Sequence, residues 1–122
     1  MNRDEALQKQ LELAQQITHV GSWQWDVATN RVMWSDELYR IYGLEPQSVE
    51  LTFESFLARV HPDDRARTTS AVMNALETGA RFAYPERIVR PDGSIRELET
   101  VGEALLDDGK RVLGLVGTCR DV

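Results

Sequence analysis

The chain has 122 residues, enough for one domain with its own core and too few for a receptor joined to an enzyme. With 14 Lys and Arg against 20 Asp and Glu, a net charge of −6 and a pI near 4.9 argue against a nucleic-acid partner, because phosphate-backbone binding is built on clustered cations. No apolar run of about 18 residues and no leader-like N-terminus is present, so no direct membrane contact is expected, and the single cysteine, Cys119, cannot form an internal disulfide and suits a reducing cytoplasm.

Residues 4–18 are rich in Ala, Leu, Gln and Glu, and Leu7, Leu11, Ala14 and Thr18 recur at spacings of four and three, which predicts an amphipathic helix. It is read as a separate unit, residues 1–20, ahead of a domain over 21–122. A helix this short needs an apolar surface, either the exposed sheet face of its own domain or a partner's helix. Its uncharged Gln8, Gln10, Gln15 and Gln16 can approach a second copy without like-charge repulsion. A homodimer with its seam at Leu7, Leu11 and Ala14 is therefore expected.

From Gly21 to Leu44 the pattern reads strand, turn, strand, helix. Trp23, Trp25 and Val27 alternate with Gln24 and Asp26; residues 28–31 form a hairpin loop in which Asn30 suits a left-handed conformation; Val32 and Trp34 resume the alternation. Ser35 is a helix N-cap with Asp36 and Glu37 in the first turn, Leu38, Ile41 and Tyr42 share a face, and Gly43 ends the helix.

Thr52 should cap a short helix with Phe53, Phe56, Leu57 and Val60 at i, i+3, i+4 and i+7. Asp63 and Asp64 then open a helix through Thr78, with Thr69, Val72, Met73 and Leu76 on one face and Gly79 closing it. Residues 81–90 favour a strand, which Pro85 assigns to a sheet edge. Pro91, Asp92 and Gly93 turn the chain, a strand returns over residues 94–106, and Asp108-Gly109 signals a hairpin. Val112 and Val116 on one parity with Leu113, Leu115 and Cys119 on the other make the last strand apolar on both faces, and hence central.

Taken in order, Gly21-Ser22-Trp23-x-Trp25-Asp26, Trp34 through Gly43, His61-Pro62-Asp63-Asp64-Arg65, Arg90-Pro91-Asp92-Gly93-Ser94 and Gly117-Thr118 with Arg120-Asp121-Val122 resemble the PAS family, in the subclass with a PAC-type C-terminal half. The resemblance implies an α+β fold: a five-stranded antiparallel sheet in the order 2-1-5-4-3 with helices on one face. It also implies a sensory role in signal transduction, relaying a small ligand or a conformational input to a histidine kinase or a diguanylate cyclase or phosphodiesterase outside this chain. On that reading the chain is an excised cytoplasmic domain whose parent could be membrane-anchored. The runner-up is a ligand-free dimerisation and relay module. Glu86 and Glu97 stand where the family usually has Tyr and Trp, and are read as adding charge to one face of the third and fourth strands.

No motif suggests catalysis. His61-Pro62-Asp63-Asp64 reads as helix capping rather than a metal cluster, zinc would want more Cys and His, and Cys119 reads as core. Gly114 and Gly117 read as close-packing positions. The functional candidate is a cavity between sheet and helices, lined by some of Leu38, Ile41, Tyr42, Phe56, Leu57, Val60, Val72, Met73 and Leu76, for an unknown small ligand. Relatives hold haem or flavin there, but neither the flavin-type Asn-Cys-Arg-Phe run nor a histidine in the helix ending at Thr78 is present, so neither cofactor is expected.

Overall fold

The structure, a computed structural model, describes residues 2–122. Helix α1 (Arg3–Thr18) starts at Asn2, whose side chain accepts from the Glu5 N–H at 2.8 Å, and ends at His19 in the left-handed conformation. Strands β1 (Val20–Asp26) and β2 (Arg31–Trp34) form the first hairpin, with Asn30 at φ 55° in its turn. Helix α2 (Asp36–Ile41) follows, then α3 (Phe53–Leu57), a 3₁₀ turn (Pro62–Asp64) and α4 (Arg65–Thr78). Strands β3 (Phe82–Val89), β4 (Ile95–Leu106) and β5 (Val112–Asp121) complete a five-stranded antiparallel sheet in the order β2-β1-β5-β4-β3. The edge third strand and the central last strand stand as the residue pattern required. No helix among the described residues is long and apolar enough to cross a membrane.

Local chemistry explains most of these boundaries. Ser35 accepts from the Leu38 N–H, and its hydroxyl also accepts from the Ser22 N–H at 3.0 Å, so the α2 cap is tied to β1. Thr52 and Ser55 form a reciprocal capping box on α3. Gly43, Gly79 and Gly93 take positive φ where a helix or turn ends.

Several expectations are corrected. Helix α3 stops at Leu57, and Val60 instead pairs with Ile88 in an isolated bridge. The long helix begins at Arg65, because Pro62 at the head of a 3₁₀ turn and the His61 ring, whose Nδ1 accepts from the Asp63 N–H at 3.1 Å, delay its start. Its buried face is Thr68, Val72 and Ala75, with Met73 45 % exposed, since docking onto the sheet turned the helix by about one position. At the Asp108-Gly109 hairpin the left-handed residue is Lys110. Strand β5 is not covered on both faces: Val112 and Val116 are only half-buried, because α1 leaves the outer sheet face largely open.

The β3 edge is closed by the chain ahead of α4 and by the first turn of α4 itself. The His61 N–H donates to the Arg87 carbonyl at 2.8 Å, the Val89 N–H to the Arg59 carbonyl at 2.9 Å, and the Arg67 guanidinium to the Pro85 carbonyl at 2.8 Å. Asp64 is buried and accepts from both the Arg87 backbone N–H (2.8 Å) and the Arg87 guanidinium (2.7 Å). An edge that would otherwise recruit a foreign strand is thereby blocked. The Arg87 hydrogen bonds hold the Asp64 carboxyl down to about 2, against the opposing effect of burial. Its folded value lies below its unfolded one, so its contribution is complete above about pH 4 and is lost as pH falls through about 2. Because Arg87 is 43 % exposed and partly screened, that contribution should be about 1–2 kcal/mol. Acid titration of stability should therefore be steeper for the wild type than for Asp64→Asn over that window; parallel curves would show that the pair contributes nothing.

Candidate functional site

Residues pointing inward from the sheet alternate along each strand, and those of β1, β2, β3, β4 and β5 converge beneath α2, α3 and α4. They enclose a cavity whose void measures about 40 Å³. Three tryptophans, Trp23, Trp25 and Trp34, form much of its wall. Each is paired with a second ring: Trp25 with Phe53 at 5.1 Å, Trp34 with Tyr42 at 4.1 Å and Trp23 with Phe82 at 6.2 Å between centroids. The Trp25 indole is fixed further by donating to Asn30 Oδ1 at 3.0 Å.

Close backbone packing shapes the floor. A Cβ on Gly102 would fall 2.3 Å from the Phe82 ring, and one on Gly117 would fall 2.6 Å from Trp23, so the two aromatic rings lie over bare glycine backbone in neighbouring strands. The close-packing reading of Gly114 holds too, for a Cβ there would meet the Trp25 carbonyl at 2.1 Å.

One charged residue type enters this wall. Glu86 on β3 is 1 % exposed and faces the cavity. Its Oε2 accepts from the hydroxyls of Thr68 and Tyr84, both at 3.0 Å, while Oε1 has only a long contact of 3.4 Å from Thr100. No Lys or Arg lines the cavity among the described residues. Burial pushes the carboxyl up from the ordinary glutamate range, and the hydroxyls of Thr68, Tyr84 and Thr100 pull it down without cancelling that effect. Burial likewise raises Tyr42, Tyr84 and Cys119, each reinforced by the nearby Glu86 charge. Cys119 is thus an inert core thiol, 3.6 Å from the Thr100 hydroxyl. The Trp23 Nε1 is a polar atom of the wall that is buried without a partner.

Of the nine residues expected to line a cavity, the structure brings together Leu38, Tyr42, Phe56 and Val72. The other five are corrected. Ile41 and Val60 are buried in packing elsewhere, Leu57 lies off the wall, Leu76 packs beside Val72 and Ala75 outside it, and Met73 faces solvent. The sequence reading missed the strand contribution to the wall, although the period-two alternation of Trp23 and Trp25 was its signal. Nor do Glu86 and Glu97 share a face: Glu86 pairs with Leu98 and points inward, whereas Glu97 pairs with Arg87 and is exposed. Among the described residues no cluster of three or more His, Cys, Asp or Glu is placed to hold a metal.

A second surface lies on the opposite face of the sheet. Helix α1 buries no residue; Leu7 and Leu11 are exposed, as are Ala14, Leu13 and Ile17. Leu11 and Gln15 flank an open groove against Gln24, Met33 and Val116 of the sheet. The helix is held at its C-terminal end, where Gln15 donates to the Ser22 hydroxyl at 3.2 Å and the His19 carbonyl accepts from the Asp121 N–H at 3.1 Å. Both ends of the domain are therefore hydrogen-bonded to each other.

Comparison with known proteins places these features. A blue-light-activated histidine kinase of Brucella anthropi is 30 % identical over 107 residues, covering 88 % of this chain and 22 % of that protein. A protein of Escherichia coli named as a probable diguanylate cyclase, DgcE, is 23 % identical over 119 residues, covering 98 % of this chain and 11 % of that protein. The chain thus spans less than a quarter of either relative. Among solved structures, a sensory box histidine kinase/response regulator from Burkholderia thailandensis superposes with a TM-score of 0.76 at 28 % identity, over 92 % of this chain and 83 % of that one. The PAS-fold family profile matches residues 31–119, from the first residue of β2 to the buried cysteine of β5. Together with the 2-1-5-4-3 sheet and the helices over its inner face, that match makes the chain a member of the PAS family, a sensory module of signal-transduction proteins.

Proposed function

We propose that this PAS domain is a cytoplasmic sensor that perceives a small ligand in the cavity under α2, α3 and α4. It passes the resulting change to a histidine kinase or a diguanylate cyclase or phosphodiesterase elsewhere in its parent protein. The observation that carries the reading is the cavity itself: an aromatic wall with a buried carboxyl that retains free acceptor capacity. The route outward runs through β1 and β5, which carry Trp23, Trp25, Leu115 and Cys119 in the wall and end beside each other at the His19–Asp121 hydrogen bond. A ligand that shifts either strand moves both ends of the domain. The domain supplies perception, and catalysis lies in the effector. Relatives fused to a kinase and a cyclase support this division.

The small void, about 40 Å³, also favours a second reading, in which the domain relays a conformational input without a ligand. Mass spectrometry of the natively purified protein separates the two. A stoichiometric small molecule that is lost on denaturation is the expected result for the sensor; an empty domain whose parent still signals would support the relay.

We further propose that α1 is a separate unit that forms a homodimer seam. Leu11 is 58 % exposed and an isolated helix of this length is marginal, so a second copy of the exposed Leu7, Leu11 and Ala14 surface is the natural cover. Sedimentation should show a wild-type dimer and a Leu11→Asp monomer, with unchanged circular dichroism because Leu11 is exposed on a helix that buries no residue. A Leu11→Asp protein of dimer mass would remove α1 from the interface.

A further inference from the structure

We infer that the cavity takes a small organic amine, with Glu86 as its counter-ion and the surrounding aromatic rings as its walls. The inference rests on the sensor reading of the same cavity and adds the chemical class of the ligand.

Three observations converge. First, Glu86 is buried at the cavity wall with hydroxyl partners only, and among the described residues no cation lines the site to neutralise it. A buried carboxylate without a positive partner is costly, and an ammonium group is the ligand chemistry that removes the cost. Second, the hydroxyls of Thr68 and Tyr84 occupy Oε2 and leave Oε1 with one long contact, so an acceptor position remains for an N–H donor. The hydroxyls also fix the carboxyl in place, since Thr68 comes from α4, Tyr84 from β3 and Thr100 from β4. Third, much of the rest of the wall is aromatic: Trp23, Trp25, Trp34, Tyr42 and Phe82 line the same void, alongside aliphatic residues such as Leu38 and Leu115. Ring faces attract cations by their quadrupole, and indole does so most strongly, so a wall of this kind is suited to the charged head of an amine and its short apolar tail alike. A neutral apolar ligand would leave Glu86 without a positive partner. An anionic ligand would be repelled by it. The volume restricts the ligand to a few heavy atoms.

The test uses ethylamine and isobutylamine against their neutral isosteres ethanol and isobutanol, titrated into the full chain and read by calorimetry and by tryptophan fluorescence. Fluorescence is a direct reporter, because all three tryptophans line the cavity. At least one amine is expected to bind saturably and tenfold or more tighter than its alcohol. Glu86→Gln keeps the shape and an acceptor oxygen for the hydroxyls but not the charge, and should abolish that preference; the wild-type comparison decides the matter even if this variant does not fold. Alcohols binding as tightly as amines would overturn the amine assignment and leave the sensor reading standing. Failure of all four probes to bind would overturn the amine assignment, and failure together with an empty natively purified domain would overturn the sensor reading as well.

Discussion

Gly117→Ala should leave the chain largely unfolded. Gly117 sits on β5, the central strand, opposite Trp23 of β1 on one side and Gly102 of β4 on the other. A methyl group there would lie 1.9 Å from the Val101 carbonyl and 2.6 Å from the Trp23 ring. The carbonyl belongs to a neighbouring ladder and cannot retreat without breaking its hydrogen bonds, and Trp23 is already packed on Phe82. Over-packing a core by one methyl typically costs about 1–3 kcal/mol when side chains can adjust; with backbone in the way, at least about 3 kcal/mol is expected, a large part of the roughly 5–15 kcal/mol that holds a domain together. Gly79→Ala is the control: a Cβ there meets nothing within 4 Å, so only the left-handed backbone matters, at about 1–2 kcal/mol. Denaturant midpoints followed by circular dichroism compare the two. A Gly117→Ala midpoint equal to that of Gly79→Ala would show that the strands can separate and that the glycine floor is not required.

Trp25→Ala is expected to cost about 3–5 kcal/mol, the second large effect. The ring stacks on Phe53 of α3, and its N–H donates to Asn30 Oδ1, which also accepts from the Phe53 N–H at 3.2 Å. The tryptophan thus fastens the first hairpin to α3 as well as filling space. Its loss would enlarge an existing void rather than open a new one, and helices so short would have little means to collapse onto it. Trp25→Phe keeps an aromatic ring but loses the second ring with its N–H, and should cost about 1 kcal/mol for the lost hydrogen bond plus a packing loss, less in total than Trp25→Ala. An unchanged midpoint for Trp25→Ala would place the ring outside the core and remove one wall of the proposed ligand site.

Variants that enlarge the cavity change both stability and ligand capacity, so Trp25→Ala cannot by itself test binding. Glu86→Gln can, because it alters charge with little change of volume.

What the sequence determined by itself is what depends on neighbours along the chain. The Ser35 and Thr52 caps, the positive φ at Asn30, Gly43, Gly79 and Gly93, and the alternation of Trp23 with Gln24 are all properties of a few consecutive residues, and the structure keeps them. The edge position of β3 was equally legible, because Pro85 lacks a donor wherever it is placed. Tertiary structure decided the rest. Glu86 and Glu97 were separated by the register of the β3–β4 hairpin, in which a shift of one residue exchanges the two sheet faces; the Pro91-Asp92-Gly93 turn marks the hairpin, but the pairing across it is set only when the strands meet. Met73 faces solvent and Ala75 the core because docking selected one of two overlapping stripes on α4. Asp64 looks in the sequence like any carboxylate near a helix start, yet it is buried against Arg87, 23 residues away, and closes the sheet edge. The cavity follows the same division: the helix residues were visible by their spacing, but the strands' share of its wall, and the carboxyl within it, required the sheet to bring β1, β3 and β5 beneath one set of helices.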